Sequence, residues 1–263
     1  MRRKSHIISD LVTTGETLPK KRGRKPRKPN EKEIWLEHSF FEVSESSPHT
    51  EPQYVYHIPK NGKQHDYSLL LQEKNNKIVV VNGPAGTGKT LFATEYGIRY
   101  FLTEMYEKII FTRPSVTVDE DLGYLPGTLE EKMAPWIRPI YDILYRFFTV
   151  KEIAQMIEER IIEIAPLGYM RGRTFTNAWI VADEMQNATV SQMKMLMTRV
   201  GQNCRLIITG DLDQSDSTIC NGLDDFLQRF KKFSSSQSIC SFAFDKSDIQ
   251  REEVVKEVLE IYT

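Results

Sequence analysis

The chain has 263 residues, 40% hydrophobic and 10% aromatic, which is enough for a substantial core and excludes a wholly disordered protein. No apolar run approaches the ~18 residues of a membrane span, and the first 20 residues lack the apolar centre of a secretory signal. The three cysteines (Cys204, Cys220, Cys240) are odd in number and never form a CxxC pair, which argues against a disulfide scaffold or zinc site and fits a reducing cytoplasm.

The net charge of −1 conceals two unlike parts. Residues 1–30 hold ten Lys or Arg against two acids, and the rest of the chain carries nine excess acids. The densest basic stretch, Lys20 to Pro29, contains no hydrophobic residue and cannot offset the entropy of ordering itself. Residues 1–33 read as a disordered basic tail suited to phosphate backbones. Residues 34–62 read as a lead-in segment, and 63–263 as one ordered domain.

Within that domain, Ile78 to Asn82 is a β-branched run expected to be a buried parallel strand. A glycine-rich turn spans 83–88, and an amphipathic helix is expected from Lys89 to about Met105. Further strands are expected at Lys108–Thr112, Ala178–Asp183, Arg205–Thr209 and Ile239–Phe244. A helix is expected at Ser191–Val200, capped by Thr189, and another at Asp248–Tyr262. Strands alternating with helices predict an α/β fold: a parallel sheet covered by helices on both faces. Residues 114–173 interrupt that alternation and read as a helical insertion, with helical pieces at Glu130–Phe148 and Lys151–Glu163. Its aromatics (Tyr124, Trp136, Tyr141, Tyr145, Phe147, Phe148) alternate with Lys132, Arg138 and Arg146. Most of them read as a small core. Trp136 is the candidate for stacking on a nucleic-acid base.

The chemistry centres on Gly83-Pro84-Ala85-Gly86-Thr87-Gly88-Lys89-Thr90, which fits G-x-x-x-x-G-K-[ST]. A loop that wraps a phosphate needs residues without bulk and inward-facing N–H groups, and the helix that follows points its positive end at the same anion. Lys89 is expected to reach the β- and γ-phosphates, and Thr90 to ligate Mg²⁺. The strand before the loop and the helix after it supply the context that the motif requires. Asp183, at a strand end, is the expected second magnesium residue, and Glu184 beside it the residue that polarises an attacking water. Gln214, in Gly210-Asp211-Leu212-Asp213-Gln214, is placed to sense phosphate or orient water.

Asp183-Glu184-Met185-Gln186 resembles the DExQ box of superfamily-one helicases, and Gly210–Gln214 their GDxxQ motif. Over residues 60–262 the chain resembles the bacterial and bacteriophage PhoH-like ATPases. The shared blocks are the phosphate loop, Thr112–Pro114, Leu122–Gly127, Ala165–Thr174, Asp183–Asn187 and Met197–Gly201. The resemblance implies a RecA-like P-loop fold, ATP as ligand, ATP hydrolysis, a ring-shaped homo-oligomer such as a hexamer, and action on single-stranded RNA or DNA. Gln64 resembles the helicase glutamine that reads adenine, with Tyr67 as a nearby stacking ring. The sequence departs from the family at Trp136, and at Glu252 where a histidine is common. No Asn-Lys-x-Asp guanine motif is present, which disfavours a GTPase. A chain with room for one such core would draw an arginine from a neighbouring subunit, with Arg171, Arg173, Arg199 and Arg251 as candidates and Arg173 and Arg251 preferred. A nucleotide-gated scaffold without motor activity is the alternative reading.

Overall fold

The computed structural model describes residues 54–114, 138–215, 221–233 and 235–261, which lie in one compact unit, Pro52–Thr263. The basic tail, residues 34–53 of the lead-in, Leu122–Gly127, Tyr124, Lys132, Trp136 and Cys220 lie outside the described residues. In chain order the main elements are α1 (Gly62–Gln72), β1 (Ile78–Asn82), α2 (Lys89–Leu102), β2 (Lys108–Arg113), α3 (Val150–Glu158), β3 (Ile162–Pro166), β4 (Ala178–Ala182), α4 (Val190–Met197), β5 (Cys204–Gly210), α5 (Gly222–Lys232), β6 (Ile239–Ala243) and α6 (Glu253–Ile261). Residues 138–144 form a further helical segment between β2 and α3.

The six strands form one sheet in the order β3-β2-β4-β5-β1-β6, and every pairing is parallel. Strand periodicity divides the core. Val79 and Val81 of β1, with Trp179 and Val181 of β4, face one hydrophobic cluster; Ile78 and Val80, with Ala178, Ile180 and Ala182, face the other. The first cluster is covered by α1 (Tyr67, Leu71), α2 (Phe92, Ala93, Ile98), Leu144, Phe147 and Ile153 of α3. The second is covered by Met193 and Leu196 of α4 and Leu223 of α5. The expected α/β sheet, covered on both faces, is the fold found.

Local chemistry explains the helix starts. Thr149 and Thr189 form capping boxes with Glu152 and Gln192, and the Asn221 side chain accepts from the N–H groups of Leu223 and Asp224. The helix expected to run through Glu163 stops at Glu158. The next residues form β3, which pairs with β2 at the sheet edge through Ile109↔Ile162 and Phe111↔Ile164. Part of the stretch read as an insertion thus belongs to the sheet. The last helix begins at Glu253 rather than Asp248, because residues 246–248 close a short 3-10 turn capped by Asp245.

Two close approaches fix α2. A Cβ at Gly97 would lie 2.6 Å from Trp179 Cδ1, so this mid-helix glycine lets the helix rest on the indole, whose Nε1–H donates to the Ala93 carbonyl at 2.9 Å. Glu95, with 2% side-chain exposure, accepts from Arg146 Nη1 at 2.7 Å and from the His57 backbone N–H at 2.8 Å. That carboxylate ties residues near 57 and 146 to the helix behind the phosphate loop. Phe147 is buried, as a core reading expects, and Tyr141 stacks on Tyr145.

Candidate nucleotide site

The carboxyl-terminal ends of β1, β4 and β5 open on a cleft of about 350 Å³, within the range of ligand sites. It is lined by Ala85, Gly86, Gly88, Lys89, Thr90, Leu91, Asp183, Glu184, Gly210, Asp211 and Gln214. Residues from three motifs far apart in sequence meet here because their strands are neighbours: β4 pairs with β5, and β5 with β1.

The loop geometry follows from its glycines. Gly86 and Gly88 have φ of 86° and 90°, a region that side chains resist, and Gly88 is the amino-terminal cap of α2. The Thr87 hydroxyl donates to the Pro84 carbonyl at 2.9 Å, and Gly83 N–H to Gly210 O at 3.1 Å, which anchors the loop on β5. Lys89 is 8% exposed, and its ammonium donates to the carbonyls of Gly83 and Pro84, the latter at 2.7 Å. Burial lowers its pKa below the ordinary 10.5, while Asp211, Asp183 and Glu184 act in the opposite direction.

Thr90 Oγ1 donates to Asp183 Oδ1 at 2.7 Å, and Thr209 Oγ1 donates to the same oxygen. A hydroxyl and a carboxylate oxygen thus converge at one corner of the cleft. That is a hard-oxygen donor set that suits a magnesium ion completed by water and phosphate oxygens.

Glu184 has φ 54° and ψ 37°, left-handed backbone that an L-residue adopts at a cost of order 1–3 kcal/mol. Glu184 lines the cleft, and Gln186 Nε2 donates to its Oε2 at 2.6 Å. Gln186 is 1% exposed, and its Oε1 accepts from the Asp211 N–H at 3.1 Å. Asp211 in turn accepts from the Ala85 N–H at 3.2 Å. A hydrogen-bonded chain, Glu184–Gln186–Asp211–Ala85, therefore joins the acidic pair, the Gly-Asp motif and the phosphate loop. Of the expected site residues, Lys89, Thr90, Asp183, Glu184 and Gln214 meet in this cleft.

The outlying residues are placed differently. Gln64 is 4% exposed and braces the loop: its Nε2 donates to Thr87 O at 3.0 Å, and its Oε1 accepts from Lys60 N–H at 2.8 Å. Tyr67, expected beside a base, is wholly buried instead. It stacks on Phe242, meets Phe92 and Phe244 edge-on, and donates its hydroxyl to Lys89 O at 3.2 Å. It belongs to the core because residues 67 and 71 form the inner face of α1. Arg173 is paired bidentately with Glu163 of β3 and lies over the Phe175 ring. Arg199 donates to the Arg173 carbonyl at 3.0 Å. Arg251 lies against Gly86 of its own chain. Gln186 as a network residue and Asp211 as acceptor for the loop stand inside the Asp183–Gln186 and Gly210–Gln214 motifs, and their roles emerge only from the folded contacts.

Among the described residues, no helix is long and apolar enough to cross a membrane. The "PhoH-like protein" family model matches residues 57–263. A PhoH-like protein of Bacillus subtilis is 39% identical over 224 residues, covering 81% of this chain and 69% of that protein. One from Synechocystis is 38% identical over 204 residues, covering 77% of this chain and 61% of that one, so the chain spans less than two thirds of that relative. Among solved structures, the Pyrococcus furiosus Hef helicase domain aligns with a TM-score of 0.42 at 13% identity, covering 70% of this chain and 38% of that one. With the family model matching residues 57–263 and a relative 39% identical over 81% of this chain, the chain belongs to the PhoH-like protein family.

Proposed function

We propose that the protein hydrolyses ATP, as a cytoplasmic homo-oligomer that acts on single-stranded RNA or DNA. The observation that carries the hydrolytic reading is Glu184. It lines the cleft beside Asp183 on left-handed backbone, and the buried amide of Gln186 donates to its carboxylate. In this reading the backbone N–H groups of 86–90 and the Lys89 ammonium bind the phosphates. Thr90 and Asp183 hold Mg²⁺, which when bound spreads the charge of the terminal phosphates. Glu184 accepts a proton from the attacking water, and Gln214, at the cleft wall, reports on the terminal phosphate.

A ring of subunits would supply a further cation across a boundary, from one of the four expected arginines. Tails carrying ten basic residues each would add avidity for a polyanion. The test is steady-state phosphate release with ATP and magnesium, with and without single-stranded RNA and DNA, alongside sedimentation of the protein. The reading expects stimulation by one nucleic acid and a species larger than a monomer. Slow turnover indifferent to both would favour the nucleotide-gated scaffold, and a monomer would remove the trans arginine.

A further inference from the structure

The chemical groups along the carboxyl-terminal edge of the sheet follow strand order. Asp183 and Glu184 follow β4, Asp211 follows β5, the phosphate loop follows β1, and residues 244–251 follow β6 on the far side of the loop. The terminal phosphate must face Glu184, so the other end of a nucleotide leaves the loop away from β4. On that side the Gln250 N–H donates to the Gly86 carbonyl at 3.0 Å. Arg251 lies along the same glycine: a Cβ built on Gly86 would come 2.6 Å from Arg251 Nε and 3.0 Å from its Cγ.

The segment is held in place. Asp248 is 5% exposed and accepts from Asn61 Nδ2 at 3.3 Å. Asn61 Oδ1 accepts from the Gln64 N–H at 2.8 Å, and Gln64 reaches Thr87 O. Hydrogen bonds thus run from the segment after β6, through the start of α1, back to the loop. Among the described residues Arg251 has no ion-pair partner, and it is exposed. A guanidinium with no ion-pair partner among the described residues thus lies beside the loop, on the side where the nucleoside leaves it. Tyr67, buried in the core, cannot supply a stacking surface there.

We propose that Arg251 binds the nucleoside of a nucleotide held by its own chain, its guanidinium plane stacking on the base, rather than reaching a neighbour's terminal phosphate. The proposal rests on the reading of 83–90 as a nucleotide site. Stacking of this kind is indifferent to base identity, because every base has a π-face.

The experiment measures binding of ADP, GDP and inorganic tripolyphosphate to the full chain by calorimetry, for the parent, Arg251→Lys and Arg251→Ala. Lysine keeps the charge and loses the plane. Arg251→Lys should weaken ADP and GDP alike, by about tenfold, and leave tripolyphosphate within about twofold. Arg251→Ala should weaken the two nucleotides at least as much. Equal loss of all three ligands in Arg251→Lys would overturn the proposal in favour of a phosphate contact. Unchanged ADP and GDP binding with a fall in kcat for ATP would overturn it in favour of a finger. A parent protein that binds ADP in this pattern and never releases phosphate would remove the hydrolytic reading and leave this one standing.

Discussion

At the scale of single residues, the site depends on carboxylates held in particular orientations. Gln186 touches no part of the expected nucleotide position, yet its amide donates to Glu184 and accepts from the Asp211 N–H. Gln186→Leu keeps the bulk and removes both bonds. The expected result is a fall in kcat for ATP of about tenfold to a hundredfold with little change in KM, since orientation of a general base contributes to the transition state more than to binding. An equal rise in KM would mean that Gln186 shapes the pocket instead. Lys89 gives a pH prediction. Burial holds its pKa below the ordinary 10.5 in the ligand-free loop, and a bound phosphate favours the ammonium and raises it. Nucleotide affinity should therefore fall as alkaline pH rises through the ligand-free pKa, because binding there requires uptake of a proton. Below that range it should be flat with respect to this group. Lys89→Arg should abolish the alkaline fall, measured as Kd for ADP against pH.

At the scale of elements, α2 carries the loop, and Trp179 carries α2. Alanine normally favours a helix interior over glycine by about 1 kcal/mol. At Gly97 the new methyl would meet the fully buried indole at 2.6 Å, with no free space on that side. Gly97→Ala should therefore destabilise the domain, by about 1–3 kcal/mol in chemical denaturation, the cost of overpacking a core. A gain in stability would show that helix and sheet separate easily, contrary to the packing described.

The elements legible in the sequence were those with a strong local signal. β1 and β4 are buried on both faces and read as unbroken apolar runs. β3 was not legible: Glu163, Ala165 and Pro166 interrupt it, as an edge strand tolerates, and the apolar spacing from Val150 continues through Ile161 and Ile162 in a helical rhythm. α5 was passed over although Asn221, the acids Asp224 and Asp225, and the basic residues Arg229, Lys231 and Lys232 mark its two ends. The phosphate loop and the Asp183-Glu184 pair were legible because backbone geometry and charge demand those residues at those spacings. The positions of Tyr67 and Arg251 were not, because Tyr67 depends on Phe242 of β6 and Arg251 on Gly86 of the phosphate loop, contacts that are distant in sequence.

At the scale of the whole molecule, charge is unevenly distributed: residues 1–30 hold ten Lys or Arg against two acids, and the rest is acidic. The tail should contribute affinity for any polyanion through counterion release, without altering the active site. A protein starting at Asn30 should bind single-stranded nucleic acid more weakly, with a shallower dependence on salt, and keep its unstimulated ATP turnover. Loss of the unstimulated turnover would place the tail inside the catalytic unit.

In the proposed reaction one cleft binds ATP through the loop at 83–90 and cleaves it through Glu184. The most direct measurement is a paired one, ATP affinity and phosphate release, for the parent, Lys89→Ala and Glu184→Gln. Lys89→Ala should lose both. Glu184→Gln should retain ATP affinity while phosphate release falls by about 10²–10⁴-fold, the contribution of a general base. A Glu184→Gln protein that turns over ATP at the parent rate would show that Glu184 is not the general base.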